Sequence, residues 1–344
     1  MAAKRSDGLN ARRGHILRII VRDYVEHAAP VGSEHIARSH TLGVSPATIR
    51  NDMAMLEEEG YIAQPHTSAG RVPSDKGYRY FVEMLMERVE LPPAVRRLVH
   101  DGLHQEGDLE EWTKAAATLL SQLAHTMGLI TMARPSTARF KHLELVPVQD
   151  TVALLIVVMQ EGRVRQQTLH LDTPMTQDDL SSLSRRVSAG LSGLQANQVL
   201  QQAEVAEGLG ETVIRTVARI MESADAPRPD DVQYGGLRAL LQEPEFGSSQ
   251  RLRTLMELVE DRESLLGLLG KLTSPQEVRV VIGGENPEEA LREFSMVVAP
   301  YGRPGDMAGA IAVMGPTRMR YDHAMAAVRY LAQSMTDLMK QHYG

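Results

Sequence analysis

The sequence predicts an α+β protein, and three observations carry that prediction. Residues 10–90 are dominated by periodic apolar stretches with capping residues at their starts. Strand-like runs follow at 142–148, 152–159 and 164–171, and others return at 278–282, 294–301 and 308–314. Between the two groups, residues 176 to about 271 keep a mostly helical pattern. Strands, then helices, then strands read as one sheet domain interrupted by a mostly helical insertion, behind a helical head. The expected divisions are 1–90 for the head, 91–185 and 275–344 for the two parts of the sheet domain, and 186–274 for the insertion.

In the head, Asn10 is placed to cap a helix on which Ile16, Leu17, Ile20, Val21 and Tyr24 form one face. Pro30-Val31-Gly32 ends it, and Ser33 offers the cap of a short second helix. Thr41-Leu42-Gly43-Val44 is a tight connection. Ser45-Pro46 then sets a hydroxyl at the N-cap and a proline at the first helical position, where its missing N–H costs nothing. This third helix is expected to end at Gly60. The segments 61–64 and 71–73, separated by a turn-rich stretch containing Gly70, read as a hairpin. Ser74 caps a fourth helix with Tyr78, Phe81, Val82, Leu85 and Val89 on its apolar face, and Leu91-Pro92-Pro93 breaks the chain. Farther on, 94–103 and 109–127 read as helices. The 152–159 run, apolar on both faces, reads as a central strand, and a last helix runs from Tyr321 to about His342.

Composition narrows the function. A chain of 344 residues with 43% apolar residues supports more than one core, and with aromatics at 4% those cores rest on aliphatic residues and 18 Met. The absence of cysteine excludes disulfides, thiolate metal sites and cysteine nucleophiles, and fits a reducing, cytoplasmic setting. The longest apolar run is eight residues, against the ~20 that a membrane-spanning helix needs. The first residues lack the apolar stretch of a signal peptide. Net charge is −7, yet residues 1–80 hold 11 Lys/Arg against 9 Asp/Glu. A polyanion is therefore expected at the head.

The third helix carries the chemistry. On a helical wheel Ile49, Met53 and Leu56 face inward, Ala47, Thr48 and Asn51 lie opposite, and Arg50 sits on the flank. Small Ala47 permits close approach to a groove floor, Asn51 suits an adenine edge, and Arg50 reaches guanine or phosphate. Ser45 and the free N–H groups behind it suit phosphate. Glu57, Glu58 and Glu59 require the C-terminal end to point away from DNA, so the helix is expected to enter the major groove by its N-terminus. The hairpin then reads as a wing, with His66, Thr67, Ser68 and Arg71 as donors to phosphate and Lys76 and Arg79 adding charge nearby.

These residues also resemble a known family. Pro30-Val-Gly-Ser33, Ser45-Pro-Ala-Thr-Ile-Arg-Asn-Asp-Met53, Pro65-His-Thr-Ser-Ala-Gly-Arg-Val-Pro73 and Asp75-Lys-Gly-Tyr-Arg-Tyr80 are similar to motifs of the HrcA family of heat-inducible transcription repressors. Gly284-Glu-Asn286 and Gly315-Pro-Thr-Arg-Met-Arg-Tyr321 resemble its C-terminal signatures. Arg320 departs from the pattern, standing where an acidic or amide residue is expected, at a place expected to be far from the head. The resemblance implies a winged helix-turn-helix, a GAF-like domain and an inserted dimerisation domain. It further implies a homodimer on an inverted-repeat operator upstream of chaperonin genes, with the GroE chaperonin promoting the active state and repression lost on heat stress. One recognition helix covers few base pairs, so a two-fold dimer is the natural reader of an inverted repeat.

Other signals are weaker. Gly267-Leu-Leu-Gly-Lys271 has the wrong spacing for a phosphate loop and no following Ser/Thr. His100 and His104 lack a third ligand, Gly283-Gly284 reads as a turn, and the Met325 to Leu338 stripe as core or dimer surface. No catalytic, metal or cofactor constellation is expected. Two rival readings are a regulator whose GAF-like domain binds a small metabolite, and an enzyme built on the α+β domain.

Overall fold

The computed structural model describes residues 9–66, 69–103, 108–135, 137–160, 162–225, 231–247, 249–274, 277–303 and 307–343. The chain forms two compact units, one of residues 1–132, 229–302 and 309–344, the other of residues 133–228 and 303–308.

The head opens the first unit and follows its caps. Helix α1 (Ala11–His27) starts where the Asn10 side chain accepts from the Arg13 N–H at 2.8 Å, and it buries Ile16, Leu17, Ile20 and Val21. After α2 (Ser33–Ser39), helix α3 (Pro46–Glu58) is capped by Ser45 Oγ, which accepts from the Thr48 N–H at 3.2 Å. Gly60, at φ +78, takes the left-handed conformation that ends it. Strands β1 (Ile62–Ala63) and β2 (Val72–Pro73) pair antiparallel, Ile62 opposite Pro73. Helix α4 (Asp75–Tyr80), capped by Ser74, passes into a widened turn at Phe81–Leu85. It stops there rather than at Val89, because Met86 is already extended.

Helices α5 (Pro93–Leu103) and α6 (Leu109–Ala124) lead into β3 (Met127–Thr131). The second unit holds β4 (Arg134–Pro135), β5 (Phe140–Gln149), β6 (Val152–Met159), β7 (Val164–His170), α7 (Gln177–Leu191), α8 (Ala196–Gln202) and α9 (Leu209–Asp225). The chain returns to the first unit with β8 (Val232–Gly235), α10 (Leu237–Leu241), α11 (Ser249–Glu260), α12 (Arg262–Leu272), β9 (Arg279–Ile282) and β10 (Phe294–Gly302). Strand β11 (Met307–Pro316) and α13 (Tyr321–Tyr343) complete it.

In the first unit the sheet runs β8-β3-β11-β10-β9. Met127, Leu129, Met296, Val298, Ala312 and Met314 pack with Leu240, Leu255, Leu265 and Leu269 of α10–α12. Helix α6 approaches so closely that a Cβ at Gly128 would lie 2.7 Å from the Ala117 carbonyl oxygen, and one at Gly235 2.9 Å from it. Val328, Leu331, Met335 and Leu338 of α13 are buried, so that stripe is core.

The second unit differs from the expected division. The strands at 142–171 do not extend the main sheet; they form their own antiparallel sheet, β5-β6-β7, with β6 central as its apolar run predicts. Its inner face, including Leu143, Leu145, Leu155 and Val157, packs on Leu180, Val187, Val213 and Val217 of the helices. The interruption is therefore 133–228 rather than 186–274, and α10–α12 belong to the sheet they cover. Periodicity shows that a strand exists but not which sheet it joins. Strands β3 and β8, of five and four residues, escaped the sequence reading because they directly follow or lie within stretches whose pattern reads as helical.

Gly128→Ala is expected to lower stability by about 1–3 kcal/mol in urea unfolding, because backbone atoms of α6 must move. Gly190→Ala, with nothing within 4 Å of the new methyl group, is expected to cost nothing.

Candidate nucleic-acid interface

The inward face of α3 is as the wheel predicts: Ile49 and Leu56 are fully buried and Met53 is 5% exposed. A charged residue joins them. Asp52 is 7% exposed and accepts from Arg12 Nε at 2.6 Å and Nη2 at 3.2 Å, pinning α3 to α1. That hydrogen bond and the carboxylate charge raise the Arg12 pKa above its ordinary value. Asp23 of α1, 8% exposed, holds α2 in the same way, its carboxylate lying 3.1 Å from His35 Nε2 and 3.2 Å from His40 Nε2.

The outward face presents Ser45, Ala47, Arg50 and Asn51, all exposed. Among the described residues, Arg50 has no ion-pair partner and the Asn51 amide has no hydrogen-bond partner. Thr48 is half-buried, its hydroxyl 3.0 Å from Ser45 Oγ, so these two side chains finish the cap. Arg50 borders a cleft of about 500 Å³ between the start of α2 and the hairpin, lined also by Ser33, Glu34, Gln64, Gly70 and Arg71. His66 is exposed near the hairpin tip; Thr67 and Ser68 lie outside the described residues.

Arg71 is placed otherwise than expected. Its Nε donates to Glu57 at 2.9 Å, and its backbone exchanges two hydrogen bonds of 2.9 Å with Val31, riveting the hairpin to the α1–α2 turn. At Gly70 a Cβ would lie 2.5 Å from the Val31 carbonyl oxygen. Glu59 pairs with Arg13, so two of the three acidic residues at the end of α3 are neutralised from within. The sequence reading missed these pairs because their partners lie 14 and 46 residues away. Lys76, though exposed, is also engaged, donating to the Glu59 carbonyl at 2.7 Å and lying 4.3 Å over the Tyr61 ring.

Helix α4 joins the head to the sheet. The Gly284 N–H donates to Asp75 at 2.8 Å, and Arg79 donates to Glu285 and, at 2.8 Å, to the Val280 carbonyl. Arg79 is thus a joint residue, its charge held by Glu285 rather than free beside the wing. A Cβ at Gly283, which sits at φ +48, would lie 2.5 Å from the Asp75 carboxylate. The Tyr78 and Tyr321 rings pack 5.8 Å apart, and Arg318 ties Glu243 and Glu245 to the Val25 carbonyl of α1. Burial opposes the charge on Glu285, yet hydrogen bonds from Arg79 and the Ile282 N–H, with the Arg79 charge, hold its carboxyl below the ordinary 4.5. Arg320 is not remote from the head: it lines a cleft with Val21, Arg22, Val25 and Glu26 of α1.

A capped, exposed helix in a helix-turn-helix with a hairpin wing, braced from behind by its own ion pairs, defines a winged helix-turn-helix regulator of transcription. A family model described as the HrcA protein C terminal domain matches residues 110–325, and a DeoR-like helix-turn-helix domain matches residues 37–74. The chain belongs to the HrcA family. Relatives named "Heat-inducible transcription repressor HrcA" from Roseiflexus castenholzii and Herpetosiphon aurantiacus are each 38% identical over 345 residues, covering 98% of this chain and 96% and 97% of theirs. The relative of that name from Chloroflexus aurantiacus is 36% identical over 360 residues, covering 98% of this chain and 96% of its own. A crystal structure described as a hypothetical protein shares the fold, with a TM-score of 0.61 at 24% identity over 97% of this chain and 99% of the other. No helix among the described residues is long and apolar enough to cross a membrane.

Arg71→Ala and Glu57→Ala are expected to be non-additive in urea unfolding, with a coupling of about 1 kcal/mol; additive effects would place the partner of Arg71 elsewhere. Because the Glu285 pKa is lowered on folding, its contribution to stability is present above the unfolded value near 4.5 and is lost as pH falls through the folded one. Glu285→Gln is expected to flatten the acid side of the stability–pH profile below about 4.5, which denaturant midpoints across pH measure.

Proposed function

We propose that this chain is a cytoplasmic repressor of heat-inducible chaperonin genes, without enzymatic activity, acting as a homodimer on an inverted-repeat operator. The observation that carries this reading is α3. Its N-terminal face offers Ala47, Arg50 and Asn51 to solvent while two of the three carboxylates at its acidic end are paired with Arg71 and Arg13. The helix enters the major groove amino end first; Arg50 and Asn51 read base edges, and the Ser45 turn and the wing residues His66, Thr67 and Ser68 meet phosphate. Arg71 reaches phosphate only by giving up Glu57.

Family membership supports the heat-linked control, the GroE chaperonin as the partner that restores the active state, and a GAF-like body that carries the head. Support for the homodimer also comes from the second unit. On the outer face of β6, Leu154, Ile156 and Val158 are half-buried, and Val146 and Val164 beside them are 36% and 52% exposed. A second copy of this chain covers that apolar face, so the insertion is the dimerisation element. Its bounds here are 133–228.

A mobility shift on an inverted-repeat promoter fragment, with and without chaperonin and before and after warming, tests the whole reading; no shift under any of these conditions would refute it. Arg50→Ala and Asn51→Ala are each expected to weaken operator binding by roughly 1–3 kcal/mol and to relax base preference. Leu154→Asp is expected to leave the fold intact and yield monomers in sedimentation at micromolar concentration, whereas an unchanged dimer would move the interface elsewhere.

A further inference from the structure

The outward face of α3 does not end at Asn51. Ala54 and Met55, three and four residues on, are exposed one helical turn farther along the same side. Met55 is 45% exposed. A side chain of that size left in water forgoes the stabilisation of burial, and the head does not need it for packing, because Ile49, Met53 and Leu56 fill the inward face. The other large apolar side chain of the described head that is as exposed, Met84 at 65%, lies past the hairpin. After Met55 the outward face closes with Glu58, exposed and, among the described residues, without an ion-pair partner.

The direction of helical side chains decides what Met55 covers. A side chain on a helix lies over the turn N-terminal to its own Cα, which sets the Met55 thioether over the turn of Asn51 rather than toward Glu58. Four residues of helix rise about 6 Å, just under two base-pair steps of about 3.4 Å. In the major groove the base edges present hydrogen-bonding groups and a single methyl group, the C5-methyl of thymine. That methyl is the feature an unbranched apolar side chain can recognise there, by contact and by exclusion of water.

We propose that Met55 is a specificity-determining residue that reads a thymine C5-methyl group within about two base pairs of the adenine held by Asn51. Small Ala54 beside it lets the helix backbone come close to the groove, and Glu58 marks where the contact ends, since a carboxylate is repelled by phosphate. The contact rests on the operator-binding reading above and adds to it the base feature recognised one turn beyond Asn51.

Deoxyuridine tests it, because it lacks only the methyl group and keeps the hydrogen-bonding edge of thymine. Mobility-shift titrations use the inverted-repeat promoter fragment, with each thymine replaced in turn, symmetrically in both half-sites. Replacement at one position is expected to weaken wild-type binding about fourfold per half-site, the worth of one buried methyl group. Met55→Ala is expected to lose about as much on the thymine fragment, and to bind the thymine and deoxyuridine fragments equally at that position. Met55→Leu, which keeps an apolar tip, retains the preference for thymine, and Met84→Ala changes nothing. Because Met55 is exposed, equal urea midpoints are expected for its variants, and a lowered midpoint for Met55→Ala would assign the residue to packing instead. Wild-type binding indifferent to deoxyuridine at every position, or a Met55→Ala chain as sensitive to it as the wild type, overturns the contact and leaves the operator reading in place. A wild-type chain that shifts no inverted-repeat fragment overturns the operator reading, and the contact falls with it.

Discussion

The contact on which the recognition surface depends is a carboxylate against a glycine backbone. Asp75, in the first turn of α4, accepts from the Gly284 N–H across 209 residues of sequence, and Arg79 one turn later clasps Glu285. The approach is possible because neither Gly283 nor Gly284 has a side chain; at Gly283 even a methyl group would overlap the carboxylate. Helix α4 is thereby fixed to the strand end of the sheet, and the helices and hairpin packed on it inherit that placement. A polar joint of this kind is directional, because hydrogen bonds specify orientation where apolar packing mainly specifies proximity.

The same economy governs charge. The head is only slightly basic, and four of its arginines are held by carboxylates: Arg12 by Asp52, Arg13 by Glu59, Arg71 by Glu57 and Arg79 by Glu285. What faces solvent on α3 is one unpaired guanidinium, one amide and a helix N-terminus rather than a broad basic patch. Under the proposed operator reading, such a surface gives modest affinity per copy, and base contacts with two-fold repetition would supply the specificity. Within that scheme the ion pairs behind α3 matter as much as the residues in front, since they neutralise an acidic helix end that would otherwise repel phosphate.

Much of the site was legible in the sequence because it is local. The Ser45-Pro46 start, the inward triad Ile49, Met53 and Leu56, the outward Arg50 and Asn51 and the hairpin all follow from spacing within a dozen residues, where helix period and capping chemistry act. Arg71 reads as a phosphate donor, and Arg79 as free positive charge, for the opposite reason. A guanidinium looks free in a sequence until its carboxylate partner is located, and Glu285 lies 206 residues from Arg79. Likewise Arg320, seemingly remote, returns to the head because β11 carries the chain back beneath α1.

Sequence alone determined the class of protein, its helical caps, most of its longer strands and the residues offered outward on α3, all consequences of short-range periodicity and backbone preference. Only the tertiary structure decided that the strands at 142–171 form a sheet of their own, that α10–α12 cover the main one, and which arginines are spent inside. Strand partnership and ion pairing depend on where distant segments meet, and that is set by the summed burial of the whole chain, to which no local pattern gives access.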